Sequence, residues 1–357
     1  MSTQYRAAVI GTGKISRIHA HPMVNHPEVD LVAASDIFEP ARETFAAEFN
    51  VPKTYADAAE MLQAERPDIV SICTWPPLHA ELTELAFANG VRAVWCEKPM
   101  AVHLAEADRM LAAAEQAGGF IFINHQRRFL PRYNQAIDLM RNGTIGDVTQ
   151  INGICRGDAL TDGTHLIDMT RWLNGDDEIE RVFGAIDMTN MGEINPDGMG
   201  TVEFNRTRTR YGHHVETGSL AILFFANGVR GHLEMGSLAR PAYQRFIIEG
   251  TLGHIDIAGD QPFADGTRVK VVLDSGEPVD VPPVTDEGAT EGVLADILAT
   301  LETGAPHRLS GASGREDLEV IHAIYQSARL RKTVALPLDI TESPLEAMLA
   351  AGEIELN

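Results

Sequence analysis

Glu97-Lys98-Pro99 closes the apolar run Val91-Arg92-Ala93-Val94-Trp95-Cys96. A lysine stepping off the carboxyl end of a buried strand stands where open α/β sheets place their ligands. The proline that follows restricts the lysine backbone to extended conformations. An ammonium held there can steady negative charge on a reacting oxygen. The second candidate is His165, at the head of a segment whose Leu166, Met169 and Leu173 form an apolar stripe. An imidazole with an ordinary pKa of about 6.5 suits proton transfer near neutrality. Asp162 lies three residues before His165, so at a helix start the two share a face. Asp162 reads either as an acid acting with His165 or as the cap of that helix. Asp168 reads as a supporting residue. A cation, a base and an acid suit proton transfer at an oxygen whose developing charge must be steadied.

Gly11-Thr12-Gly13-Lys14-Ile15-Ser16 has the spacing of a dinucleotide-binding loop. The segment follows a strand-like run and opens a helix. Gly11 permits the tight turn, Gly13 lets backbone approach a pyrophosphate, and Ser16 is small enough for close helix–strand packing. The helix start then presents free N–H groups and a positive dipole end to the phosphates. Thr12, Lys14 and Ile15 complete the loop. Asp36 ends the second strand, 36 − 13 = 23 residues on, near the offset of the acid that binds the adenosine ribose. A carboxylate there repels a 2′-phosphate, and Ile37-Phe38 follow it in place of arginine, which favours NAD over NADP. The competing reading of Asp36 is a turn cap.

Cys73-Thr74-Trp75-Pro76-Pro77-Leu78-His79 leaves another strand and enters a helix, which suits a wall of the same crevice. Thr74 can donate to phosphate or ribose. Trp75 can stack on a ring or pack in the core. His79 reads as a helix-start residue or a cofactor contact. Arg128, Arg156, Asp158, Thr161 and Tyr243 are the substrate-side candidates. His213-His214 reads as part of a polar loop, and adjacent histidines without cysteines or paired acids argue for no metal.

The elements that must hold these residues change character midway. Through residue 124, short apolar runs alternate with helical stretches: strands at 6–10, 29–35, 69–73, 91–96 and 120–124, helices at 14–25, 40–49, 56–64, 78–89 and 104–117. This order predicts a parallel, doubly wound sheet. Beyond it, strand-like runs at 148–155, 181–188, 200–203, 219–225, 229–235, 244–249, 254–257 and 268–273 follow one another, with helices at 133–141, 165–173, 291–300 and 314–327. That order predicts a large, mainly antiparallel open sheet with helices on one face. The expected division is residues 1–124, binding a dinucleotide, and 125–357, binding substrate and assembling oligomers.

With 357 residues, 44% hydrophobic, the chain can bury two cores. Its net charge of −22 disfavours nucleic acid and anionic membranes as partners, since both are bound through Lys and Arg. The three cysteines, Cys73, Cys96 and Cys155, are too few and odd for a full disulfide set. With no signal-like start and no apolar run of about 18 residues, a cytoplasmic protein is expected.

In sum of motifs the chain resembles the Gfo/Idh/MocA oxidoreductases. The resemblance lies in the Gly11 loop, Ile72 through His79, Cys96-Glu97-Lys98-Pro99, Arg127-Arg128-Phe129-Leu130-Pro131, His165-Leu166-Ile167-Asp168 and Ile248-Glu249-Gly250-Thr251-Leu252-Gly253. It implies a Rossmann domain followed by an α/β domain whose open sheet supports a homodimer or homotetramer. It implies Lys98 beside a nicotinamide, with Glu97 as its positioner, a cis Lys98-Pro99 bond, and a sugar, cyclitol or related polyol as substrate. Relatives that epimerise or hydrolyse glycosides with retained NAD, and non-catalytic sensors of nucleotide or sugar, are the alternatives. The family's acid stands four residues before the histidine, where this chain has Thr161; the acid here is Asp162.

Overall fold

The computed structural model describes residues 5–188, 209–236, 244–259 and 261–354. They divide into two compact units, one formed by residues through Gln126 with Gly288–Arg315, the other by Arg127–Glu287 with the residues from Glu316 onward.

The first unit carries β1 (Tyr5–Ile10), α1 (Ser16–Asn25), β2 (Val29–Ser35), α2 (Glu39–Phe49), β3 (Lys53–Tyr55), α3 (Ala58–Glu65), β4 (Ile69–Ile72), α4 (His79–Ala88), β5 (Ala93–Cys96), α5 (Leu104–Ala117) and β6 (Phe120–Ile123). All six strands are parallel, in the order β3-β2-β1-β4-β5-β6. Every residue of β4 and β5 is buried. Covered on both faces, such strands read as unbroken apolar runs, which is why the sequence showed them. β3 escaped notice because its Lys53 and Thr54 are exposed on a sheet edge. The strand order reverses between β1 and β4, where sheets of this kind open a crevice at their carboxyl ends.

Residues 288–315, expected in the second domain, belong to the first unit. The helix Ala289–Thr303 packs on α1. Beyond it Ser310 bridges Phe122, and Leu309 accepts a hydrogen bond from the Ile123 N–H at 2.9 Å. The open edge of β6 is thereby covered, which blocks pairing with another chain.

The second unit adds α6 (Pro131–Arg141), β7 (Val148–Cys155), α7 (Gly163–Leu173), β8 (Ile179–Asp187), the short ribbon of β9 (Thr209–Arg210) and β10 (His213–His214), then β11 (Gly218–Phe225), β12 (Arg230–Gly236), β13 (Gln244–Gly250), β14 (Gly253–Ile257), β15 (Val269–Leu273) and β16 (Val334–Ala335). Its eight-stranded sheet runs β15-β14-β13-β7-β12-β11-β8-β16, and only the β12–β7 pair is parallel among the described strands. A Cβ at Gly184 would strike Ile324 of the helix Gly311–Leu330, so that face is tightly covered. Phe183 and Leu220 point the other way and are exposed. The strand expected at 200–203 and the candidate Tyr243 lie outside the described residues.

Candidate active site

The glycine loop meets its geometric requirements. Gly11 has φ +87°, and a Cβ there would lie 2.7 Å from the carbonyl oxygen of Cys73. No protein atom lies within 4 Å of a Cβ built on Gly13, so its outer side opens to solvent. Gly13, Lys14 and Ile15 are exposed, and Thr12 is buried. The helix begins at Ser16, later than the expected Lys14. The Ser16 hydroxyl donates to the Gly13 carbonyl at 2.6 Å, so this serine ties the loop as well as packing closely.

Asp36 accepts from the Thr12 N–H and hydroxyl through Oδ2, at 2.7 and 3.0 Å, and from the Phe38 N–H through Oδ1 at 2.9 Å. Carboxylate oxygens have about four acceptor positions, so capacity remains for ribose hydroxyls. Arg42, which sequence reading passed over, donates to the Asp36 carbonyl at 2.7 Å.

Five large apolar side chains stand exposed on the loops after β1, β2 and β4: Ile15, Ile37, Phe38, Trp75 and Leu78. Apolar groups gathered at one end of a sheet mark a binding surface. The hydroxyl of Thr74, at the same end, is buried and has no hydrogen-bond partner among the described residues. An open Gly13, an unsatisfied Thr74 and an apolar rim fit a dinucleotide.

His79 is different. It is fully buried, with Nδ1 3.0 Å from the Pro99 carbonyl and Nε2 3.1 Å from the Thr74 carbonyl. Burial pushes its pKa below the ordinary value. It is a brace between the Thr74 loop and the Lys98-Pro99 step, not a cofactor contact. The Lys98-Pro99 bond is cis.

Glu97 is braced too. Its Oε1 accepts from His19 Nε2 at 2.8 Å and Asn124 Nδ2 at 2.5 Å. The Trp95 indole donates to Asn124 Oδ1 at 3.1 Å, and its ring stacks on His19 at 4.0 Å. Burial alone would lower the His19 pKa; interactions with Cys73 Sγ and the Glu97 carboxylate outweigh it and hold the ring up to about 10. Burial works against the Glu97 charge, but His19, Lys98 and Asn124 keep its pKa below the ordinary value. Glu97 is 4% exposed and turns its Oε1 toward these interior partners. Sequence reading missed His19; its one signal was a histidine on the buried face of α1, three residues after Ser16. Lys98 itself is half-buried.

In the second unit, His165 is buried in the first turn of α7, and its carbonyl accepts from Gln244 at 3.0 Å. Asp162 stands at the cap position of α7 without a side-chain cap bond. Its Oδ2 instead accepts from Arg210 NH1 at 2.6 Å, while the same nitrogen donates to Asp158 Oδ2 at 3.0 Å. Asp158 Oδ1 accepts from the Thr161 N–H at 2.6 Å. The loop before α7 is thus closed on Arg210, a residue hidden from sequence reading in an expected polar loop. Asp158 and Thr161 are buried and serve this loop; Arg156 is half-buried. Beside them Glu216 is fully buried and accepts from the Ala159 N–H at 2.6 Å and Tyr325 hydroxyl at 2.7 Å. Burial, aided by the Asp158 charge, pushes its pKa up to about 7.

Arg128 does not face a substrate. Its side chain is 2% exposed. Nε donates to Asp168 at 2.7 Å, and the terminal nitrogens donate to Asp176 at 2.8 and 3.0 Å. A guanidinium so engaged is an interior ion pair, and Asp168 is its partner. His213 and His214 form β10, and His214 Nδ1 lies 2.7 Å from Glu346.

The fold and loop define a dinucleotide-binding oxidoreductase. Residues 5–125 match the oxidoreductase family's NAD-binding Rossmann fold, and residues 139–336 match its C-terminal alpha/beta domain. The chain belongs to the Gfo/Idh/MocA family. It is 26% identical to the D-apiose dehydrogenase of Paraburkholderia graminis, over 98% of this chain and 95% of that one. It is 27% identical to the myo-inositol 2-dehydrogenase of Thermotoga maritima, over 93% and 98%. An Agrobacterium radiobacter oxidoreductase, crystallised with NAD+, L-tartaric acid and magnesium, shares the fold with a TM-score of 0.74 at 21% identity, over 97% of this chain and 100% of that one. No helix among the described residues is long and apolar enough to cross a membrane.

Proposed function

We propose that this protein oxidises a secondary hydroxyl of a sugar, cyclitol or related polyol, with NAD preferred over NADP. The observation that carries the reading is Lys98, held at the carboxyl end of β5 between two residues that buried histidines pin, Glu97 and Pro99. Support comes also from relatives of nearly the same length that are named for sugar and cyclitol dehydrogenation.

NAD, when bound, supplies the hydride acceptor. Gly11, Thr12, Gly13, Lys14 and Ile15 hold its phosphates, Asp36 its adenosine ribose, and Thr74 and Trp75 the opposite wall. His165 takes the proton of the substrate hydroxyl. Lys98 donates a hydrogen bond to the same oxygen as charge develops, an effect worth several kcal/mol in a dry site. Arg156 serves the substrate's remaining hydroxyls. Asp162 holds the loop before His165 through Arg210. The exposed Phe183 and Leu220 support self-association through the open sheet as a homodimer or homotetramer.

NADH formation across a panel of sugars, polyols and sugar acids, with NAD and NADP, tests the reading. On the substrate so found, Lys98→Ala should lower turnover at least ~100-fold while calorimetry shows NAD binding intact. Normal turnover in that variant would sink the mechanism. Tight NAD binding without net NADH across the whole panel would sink the dehydrogenase.

A further inference from the structure

We propose that His19 and Glu97 form a buried imidazolium–carboxylate pair that positions Lys98 and sets the charge around its ammonium. The proposal rests on the reading of Lys98 as the group that steadies the reacting oxygen. It concerns a residue of α1 that would touch neither substrate nor cofactor.

Glu97 immediately precedes Lys98 and is 4% exposed. Its carboxylate receives two donors from different elements, His19 Nε2 from α1 and Asn124 Nδ2 from the end of β6. The ring's other nitrogen lies 2.7 Å from the Ser71 hydroxyl of β4, and that oxygen lies 3.2 Å from Cys73 Sγ. The side chain before Lys98 is therefore tied to three neighbouring parts of the sheet. His79 ties the residue after it.

Stability does not account for such a pair. Replacing a buried ion pair by apolar residues is often neutral, or stabilising by about 1–4 kcal/mol. Its place directly behind Lys98 does account for it. A lone carboxylate there would draw the ammonium inward; an imidazolium behind it satisfies the charge from the other side. The titratable groups around the pair are Lys98 and Cys96 on its own segment, Cys73 beyond β4 and His79 at the head of α4. Burial holds His79 below its ordinary pKa and Cys96 well above its own, so neither adds charge at neutral pH.

The test follows Lys98 without turnover. The pH dependence of Lys98 acetylation by acetic anhydride, read by peptide mass spectrometry, reports the ammonium's titration. His19→Gln leaves the anion uncompensated and should move that titration up by about one pH unit; Glu97→Gln should move it down by a similar amount. The double variant should return near the starting value. Unmoved titration, or shifts of one sign in both single variants, would overturn the proposal. Should His19→Gln fail to fold, the protonation state of His19 in the unmodified protein decides, a doubly protonated ring supporting the pair and a neutral ring refuting it. Nitrogen-15 spectra of the unmodified protein at pH 8 add a check: a doubly protonated His19 is expected, and a neutral ring refutes the pair. An active Lys98→Ala would instead refute the catalytic reading, whatever the labelling shows.

Discussion

Oδ2 of Asp36 accepts hydrogen bonds from both the N–H and the hydroxyl of Thr12, so the acid that ends β2 braces the loop that follows β1. The carboxylate has two tasks, holding the loop and meeting a ribose. Asp36→Ala should weaken NAD binding by ~10–100-fold, the loss of one or two charge-assisted hydrogen bonds. It should weaken NADP far less, because repulsion of the 2′-phosphate disappears with it. Fluorescence titration of both nucleotides measures this. Equal losses would mean that Asp36 braces the loop and reads nothing.

One substitution made at two glycines should give two different outcomes. Gly11→Ala drives a Cβ against the Cys73 carbonyl at a left-handed φ, so the loop must shift and stability should fall by ~1–3 kcal/mol. Gly13→Ala meets no protein atom and should fold normally, yet lose NAD affinity at least ~10-fold, since its methyl takes the space a pyrophosphate needs. Thermal melts with and without NAD separate the two. A stable Gly13→Ala variant with undiminished affinity would place the phosphates elsewhere.

Arg128→Met should cost stability, not substrate affinity. It strands the buried Asp168 carboxylate, and breaking a buried pair costs about 3–5 kcal/mol. The urea midpoint should drop while KM stays within about twofold. An unchanged midpoint with a large rise in KM would return Arg128 to the substrate.

Glu216 has a folded pKa of about 7 against an ordinary 4.5. Below about pH 4.5 the carboxyl is protonated whether folded or unfolded. Between about pH 4.5 and 7 the unfolded chain ionises while the folded carboxyl keeps its proton, so stability falls by up to about 3 kcal/mol across that window and levels off above it. Glu216→Gln removes that loss. Its melting temperature should exceed that of the unmodified protein at pH 8 and match it near pH 4.5. Parallel curves at both values would show that Glu216 ionises freely.

The nucleotide side of the site was legible because it is local. Gly11 through Ser16 and Asp36 lie within 36 − 11 = 25 residues of one another, on elements whose order dictates where they meet. Lys98 was legible for the same reason, as the step off a wholly buried strand. The partners of these residues were not. His19 and Glu97 are 78 residues apart, and Arg210 stands 48 from Asp162. No spacing links such pairs; only the folded sheet does. Arg128 and His79 misled for a related reason. A polar residue in a motif looks functional until its surroundings are seen, and both prove to be buried, Arg128 in an ion pair and His79 between two carbonyl oxygens. The short β3, β9, β10 and β16 left no periodicity to read.

The bridge between Phe122 and Ser310 has a consequence for how the protein is made. A ribosome that has finished β6 must add 310 − 122 = 188 residues before the edge of that strand is covered. At roughly 5–20 residues per second, the wait lasts roughly 10–40 s. For that time the nascent first unit carries a naked, apolar edge strand into a crowded cell. Chaperone demand during synthesis should accordingly fall on residues 120–123 and ease when 309 and 310 emerge.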